Sequence, residues 1–91
     1  MKLLYCEDCK NFLHLQTLGD VEVCECGCTR GKMVDRNEYL YSGDAAVPIH
    51  VDERSFTKAI SNRQPNMTSS FKSCVEPRKS YSFRKVELLK I

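Results

Sequence analysis

Short apolar runs separated by turn residues predict that the first third of the chain is built from β-strands. Leu3 to Tyr5 is the first run, and Phe12 to Leu18 is the second, ending at the turn signal Gly19-Asp20. Val21-Glu22-Val23 alternates apolar and polar positions, as a half-buried strand does. Because the second and third runs are joined by a turn and each lies next to cysteines, they predict a two-stranded β-ribbon.

The pattern after Gly31 predicts further strands. The expected elements are an extended segment from Lys32 to Tyr41, a turn at Ser42-Gly43-Asp44, a strand from Ala45 to Val51, and a final pair of strands, Phe71 to Glu76 and Tyr81 to Leu88, around Pro77-Arg78-Lys79-Ser80. Proline lacks a backbone donor, so Pro48 is expected to confine its strand to a sheet edge or a bulge.

One short helix is predicted between these strands, near 53–63. Asp52 is a suitable N-cap residue, and Glu53 suits the positive end of the helix dipole. Phe56, Ala59 and Ile60 follow the spacing of a single apolar helix face. The proline and small polar residues that follow are expected to end the helix near Arg63.

Length limits the architecture to one domain. A chain of 91 residues buries a modest core, so an additional covalent or metal cross-link is expected. We predict a small β-rich α+β domain spanning 1–91, with a zinc-ribbon part at 1–30. The β-rich extension at 31–91 contains the helix.

Five of the six cysteines fall into two groups with metal-ligand spacing. Cys6-x-x-Cys9 is followed after fourteen residues by Cys24-x-Cys26-x-Cys28. Zinc takes four ligands at tetrahedral corners, and fourteen residues suffice for a hairpin that returns the second group to the first. Gly27 after Cys26 favours Cys6, Cys9, Cys24 and Cys26 as ligands, because that position often needs an open backbone conformation. The spacing alone leaves open whether Cys28 replaces Cys24 or Cys26.

The cellular compartment favours metal ligands over disulfides. The apolar run at the start of the chain is too short for a signal peptide, and no run is long enough to cross a membrane. The expected location is therefore the reducing cytoplasm, where cysteine groups bind metal more often than they form disulfides. We expect one structural zinc ion as the cofactor.

No set of residues indicates catalysis. A redox pair at Cys6 and Cys9 would need a βαβ context, which the predicted elements lack. A catalytic zinc site needs an open position and a nearby acid or base. The carboxylates near the cysteines are typical of solvated side chains, His14 and His50 of strand residues, and Cys74 of a small packed hydrophobe. We therefore expect a protein that is not an enzyme.

The cysteine pattern, together with Tyr41-Ser42-Gly43-Asp44-Ala45 and Val47-Pro48-Ile49, resembles a group of small zinc-ribbon-like proteins of bacteriophages and prophages. In that group the second cysteine pair is Cys-x-Cys-Gly, which implies Cys24 and Cys26 as ligands here. The resemblance also implies a phage-encoded protein in the cytoplasm of a bacterial host. Such a protein is expected to act on a host protein, for example as a defence inhibitor.

Charge distribution bears on the partner. The net charge is +2, but residues 1–30 carry three basic and five acidic side chains, whereas residues 71–91 carry six basic and two acidic ones. A basic C-terminal segment is the basis for the alternative function, nucleic-acid binding by a zinc ribbon. We expect that binding to be weak and a host or phage protein to be the partner, without a membrane. The sequence does not specify an oligomeric state.

Overall fold

The strands of the chain form two four-stranded sheets, called sheet A and sheet B below. The computed structural model describes residues 1–76 and 82–90. Within these ranges the elements are β1 (Lys2–Cys6), β2 (Phe12–His14), β3 (Val21–Val23), β4 (Arg30–Met33), β5 (Tyr39–Ser42), β6 (Ala46–Val51), α1 (Glu53–Ser61), β7 (Ser73–Val75) and β8 (Phe83–Lys85). The predicted class, a small β-rich α+β fold with one short helix, is confirmed.

The two sheets differ in how their last strand joins. Sheet A has the order β2-β1-β6-β7, and all its neighbours are antiparallel. Sheet B has the order β3-β4-β5-β8, in which β8 runs parallel to β5. Each sheet therefore takes strands from both the early and the late part of the chain.

The hydrophobic core lies between the two sheets. Leu4 and Leu13 project from sheet A, while Tyr41 and Phe83 project from sheet B, and all four are buried. Gly31 on β4 allows the sheets to approach, because a Cβ atom there would lie 2.9 Å from Cδ2 of Leu15 and would also collide with Leu4. Core packing and sheet separation thus depend on a residue without a side chain at this position.

The helix begins and ends close to the predicted residues. The Asp52 carboxylate accepts a hydrogen bond from the Arg54 backbone N–H at 3.2 Å, which confirms Asp52 as the N-cap. The ring of Phe56 packs edge-on against Phe71, with centroids 5.0 Å apart. All of α1 lies in the described part of the chain, and none of its residues is buried. The predicted apolar face is therefore only partly covered.

The predicted ribbon between Phe12 to Leu18 and Val21 to Val23 is wrong. The second strand ends at His14 and pairs with β1, whereas β3 pairs with β4 in the other sheet. After Leu15 the chain leaves sheet A, and Gly19, with φ of +84°, donates its N–H to Met33 of sheet B at 2.9 Å. Gly19 and Asp20 therefore lie in a turn, as predicted, but this turn connects the two sheets rather than two paired strands.

The segment Lys32 to Tyr41 also differs from the predicted single extended run. It is divided between β4 and β5, which form a hairpin. The turn is stabilised by the Asp35 carboxylate, which accepts a hydrogen bond from the Asn37 backbone N–H at 2.8 Å. Short polar side chains favour such turns, so Asp35-Arg36-Asn37 was a readable turn signal.

The two final strands do not pair with each other. Instead β7 extends sheet A beside β6, and β8 extends sheet B beside β5. The position of β8 in sheet B buries its Phe83 side chain, which is 1% exposed at the centre of the core. The predicted connection at Pro77-Arg78-Lys79-Ser80, together with Tyr81, lies outside the described residues.

Pro48 lies in an internal strand, so its predicted confinement to a sheet edge or bulge is wrong. Strand β6 has β1 on one side and β7 on the other. The Pro48 carbonyl accepts a hydrogen bond from the Glu76 N–H at 2.9 Å, just after β7 ends. Because the nitrogen and oxygen of one strand residue point to the same side, the missing donor faces the end of β7 and costs no bond to β1.

Candidate metal centre

Two turns, one from each sheet, bring four cysteines together. Cys6 ends β1 and Cys9 lies in the turn to β2, while Cys24 follows β3 and Cys26 lies in the turn to β4. Their four Sγ atoms all lie within 4.8 Å of one another. The Cys26 sulfur is 3.6 Å from that of Cys6 and 3.4 Å from that of Cys24. The structure therefore gathers the four predicted cysteines into one cluster.

The first turn is closed by backbone hydrogen bonds around Cys6. Its N–H donates to the Asn11 carbonyl at 2.9 Å, and its carbonyl accepts from the Lys10 N–H at 2.8 Å. Lys10 has φ of +60° and is the only non-glycine residue with a positive φ among the described residues. This geometry turns the chain tightly enough to direct the sulfurs of Cys6 and Cys9 to the same side.

The second turn has a similar design. The Gly27 N–H donates to the Cys24 carbonyl at 3.0 Å, and the Cys24 N–H donates to the Thr29 carbonyl at 3.0 Å. Gly27 has φ of +77°, as expected for the residue that follows the second cysteine of the pair. Lys10 occupies the corresponding position after Cys9, so both turns use a left-handed residue at the same point.

Burial divides the cluster into an inner and an outer side. Cys6 is 0% exposed and Cys24 is 4% exposed, whereas Cys9 is half-buried and Cys26 is exposed. The inner sulfurs belong to the hydrophobic core. An ion bound here would therefore contact the core on one side and lie near the surface on the other.

The thiols of the cluster differ in acidity because they share hydrogen bonds. The Thr29 hydroxyl and the Cys9 backbone N–H lower the pKa of Cys6 to about 6, against the opposing effect of burial. Burial raises the pKa of Cys24, but the Thr29 N–H and the Cys26 thiol outweigh it, so the net shift is downward.

Cys26 shifts in the opposite direction. The Cys28 backbone N–H favours its thiolate, but Cys24, burial and Cys6 together raise its pKa. Three neighbouring sulfurs cannot all ionise without a compensating cation. The shifts in pKa thus favour the thiolate at Cys6 and Cys24 and the protonated thiol at Cys26.

The geometry fits a tetrahedral thiolate site. Metal–sulfur distances of about 2.3 Å in a tetrahedron place the sulfurs roughly 3.8 Å apart. The Cys24–Cys26 and Cys6–Cys26 sulfur separations, 3.4 and 3.6 Å, are within a few tenths of an ångström of that value. The cluster could therefore hold one metal ion after small side-chain adjustments, and four sulfur donors favour a soft or borderline metal.

Thr29 supports the cluster and was not predicted. It is 0% exposed, and its backbone N–H donates to the Cys24 sulfur at 3.2 Å. Its hydroxyl oxygen is also buried and has no well-aligned partner in the described chain, so its rotatable O–H is free to point at Cys6. Apart from its place after Cys28, the sequence carries no signal for this role, which depends on the fold of the turn.

The remaining cysteines lie outside the cluster. Cys28 is exposed, with its sulfur 3.9 Å from the Cys26 carbonyl oxygen. Cys74 is exposed on β7 opposite His50, so the expectation that it packs as a small hydrophobe is wrong. The reason is its position on a short edge strand, all of whose residues are exposed. His14 lies on β2 as expected, also exposed.

A cleft also lies between the sheets. It has a volume of about 510 Å³ and its lining includes Glu7, Asp44, Glu76 and Lys85. Lys85 pairs with Asp44 at 3.1 Å, and Lys2 pairs with Glu76 at 2.7 Å. Two of the three carboxylates that line it among the described residues are therefore already engaged in ion pairs, which leaves no free pair of these carboxylates for acid–base chemistry.

Comparisons of the chain with protein-family models, curated proteins and solved structures found no match. Among the described residues, the single helix is far shorter and more polar than a membrane-crossing helix needs to be.

Serine substitutions test the ligand set. We expect Cys24→Ser and Cys26→Ser each to release the bound metal, because each removes one of four clustered sulfurs. Cys28→Ser is the matched control from the same turn and should retain it. Metal content of the purified variants, measured by mass spectrometry, checks this. Loss of metal from Cys28→Ser with retention by Cys24→Ser would show that the second pair is wrongly assigned.

Proposed function

We propose that this chain is a non-catalytic binding protein stabilised by one structural zinc ion. We further propose that it is phage-encoded and acts on a host protein in the bacterial cytoplasm, for example as a defence inhibitor. The observation that carries the zinc proposal is the cluster of four cysteine sulfurs within 4.8 Å. The phage origin and the host target rest on the sequence resemblance alone.

Zinc is the metal that best suits the cluster. Four cysteines from two turns match the closed tetrahedral sites of zinc ribbons, in which each turn supplies two thiolates. Bound Zn²⁺ would neutralise charge that the inner thiols already favour. On this account the described fold is a zinc ribbon extended by further strands and a short helix.

A structural role follows from the donor set. Catalytic zinc sites keep a position for water, whereas four sulfur ligands leave none. The ion would join the β1–β2 turn of sheet A to the β3–β4 turn of sheet B. A cross-link between two sheets is the kind of reinforcement that a domain with a small core requires.

Ion pairs between basic side chains and carboxylates of the same chain favour a protein partner over nucleic acid. Arg84 pairs with Glu38 at 2.8 Å and Lys85 pairs with Asp44 at 3.1 Å. Arg84 and Lys85 are consecutive on β8 and so point to opposite faces of sheet B. Exposed Glu7, Asp8 and Glu25 near the cysteine turns would also repel a phosphate backbone.

Removal of the metal should unfold the protein. Structural zinc contributes on the order of 10–16 kcal/mol in zinc-finger peptides, which is comparable to the whole stability of a domain. We expect about one zinc per chain in the purified protein and loss of β-sheet circular dichroism in a strong chelator, restored by added Zn²⁺. Intact structure at substoichiometric metal would contradict a structural role.

Binding to duplex DNA should be weak and nonspecific. Because Arg84 and Lys85 of the basic segment are already paired with carboxylates, we expect a dissociation constant of roughly 10⁻⁴ to 10⁻⁶ M at physiological salt. Fluorescence anisotropy titrations at about 0.15 M salt check this. Submicromolar affinity that is lost in Arg84→Ala and kept in the control Arg54→Ala would favour the nucleic-acid alternative.

Recovery of the partner separates the two functions directly. Tagged protein should capture a host or phage protein from infected bacteria, and that association should survive nuclease treatment. An association that nuclease abolishes would instead support the nucleic-acid function.

A further inference from the structure

The longest stretch of this chain without an acidic residue is residues 54–75, which include most of the helix. It contains four basic side chains, Arg54, Lys58, Arg63 and Lys72. All four are exposed, and none of them forms an ion pair within the described part of the chain, unlike the paired side chains of β1 and β8. The Arg63 guanidinium instead donates to the Ile60 carbonyl at 3.3 Å and so offsets the negative end of the helix dipole. This surface therefore attracts anionic groups.

A shallow, open groove of about 340 Å³ lies between α1 and the segment that leads to β7. Its lining residues are Ser55, Lys58, Ala59, Asn62, Ser69 and Ser70. The groove is thus lined by three hydroxyl groups, an amide and an ammonium group, and none of its lining residues is acidic. All of these polar groups donate hydrogen bonds, so together with the positive charge they suit an anionic ligand.

Three of the unpaired cations flank this groove. Arg54 and Lys58 are four residues apart and are therefore neighbours on one face of α1. The Lys72 N–H donates to the Ser55 hydroxyl at 2.8 Å, which holds Lys72 beside the first turn of the same helix. We call the groove, with Arg54, Lys58 and Lys72 on its rim, the basic groove.

The basic groove and the cysteine turns lie at opposite ends of sheet A. Strands β1 and β6 are antiparallel, so that Cys6 pairs with Ala46 while Lys2 pairs with His50, two residues before the N-cap of α1. The exposed carboxylates near the cysteine turns are therefore remote from the basic groove and do not neutralise it.

Shape and charge together favour an acidic protein segment as the occupant. Sites for small molecules are concave and bury most of the ligand, whereas this groove is open. Nucleic acid gains affinity with every phosphate that is neutralised, and three cations around one groove provide few such contacts. A peptide needs only one or two carboxylates at the rim, and its backbone carbonyls can accept hydrogen bonds from the groove. Phe71, beside Lys72, is 44% exposed and offers an apolar contact to a peptide side chain.

We propose that the basic groove binds an acidic segment of a partner protein. Carboxylates of that segment would lie between Arg54, Lys58 and Lys72, and its backbone would lie along α1. The inference rests on the proposed function in taking a protein as the partner, and it adds the chemistry by which that partner is recognised. It does not depend on the metal, because the groove lies at the other end of sheet A.

Fluorescence anisotropy with a labelled peptide of Glu-Leu-Glu-Gly repeats tests this inference on the purified full chain. At about 0.15 M salt we expect a dissociation constant of roughly 10–100 µM, and no binding of the matched peptide in which glutamine replaces glutamate. Lys58→Glu and Lys72→Glu should each weaken binding at least about tenfold, because each replaces an attraction by a repulsion. Both residues are exposed, so circular dichroism should show an unchanged fold.

Lys90→Glu is the matched control, since it makes the same change of charge at an exposed residue of the other end. Lys90 follows Leu89, whose N–H donates to the Ser42 hydroxyl, and Ser42 pairs with Arg30 close to the cysteine turns. Peptide binding should be unchanged in this variant. Equal weakening by Lys90→Glu, equal binding of the glutamine peptide, or no binding at about 1 mM protein overturns the proposal.

Two further outcomes separate this groove from the rest of the account. Tighter binding of a single-stranded oligonucleotide of the same net charge, abolished by Lys58→Glu, would assign the groove to nucleic acid and overturn the proposal. Capture of a host protein from infected bacteria that Lys58→Glu does not reduce would also overturn it, while the proposed function would stand. Peptide binding as expected without capture of any host protein would support the groove and contradict the proposed function.

Discussion

Crowding of four sulfur atoms within 4.8 Å is the constraint on which the architecture depends. Thiolates at such distances repel one another, and two of them, Cys6 and Cys24, are buried in the core. Hydrogen bonds from Thr29 and the turn backbones favour ionisation of these two, while Cys26 is shifted the other way. A single divalent cation would resolve the conflict for the whole cluster, because it replaces the protons and neutralises the charge.

A metal ion in the same cluster would also join the two sheets. Each sheet contributes one hairpin turn with two cysteines, and the core between the sheets is thin, with Gly31 allowing close approach to Leu4 and Leu15. The core therefore fixes how the two sheets meet, and a metal ion in the cluster would add a cross-link between them.

The sequence predicted what is locally encoded. The spacing of Cys6, Cys9, Cys24 and Cys26 with Gly27 identified the cluster, and Asp52 identified the start of the helix, since both depend on neighbouring residues. Strand partners were mispredicted because pairing is decided over long distances: Phe12 pairs with Tyr5 rather than with the strand after Gly19. Thr29 was missed for the same reason, as it acquires its role only when the sheets form.

X-ray absorption spectroscopy at the metal edge of the purified protein tests the central claim most directly. The account predicts zinc with four sulfur neighbours at about 2.3 Å and a tetrahedral edge spectrum. That spectrum should be the same in Cys28→Ser, whose exposed sulfur lies outside the cluster. A first shell containing oxygen or nitrogen, or protein isolated without metal and with its cysteines in disulfides, would contradict it.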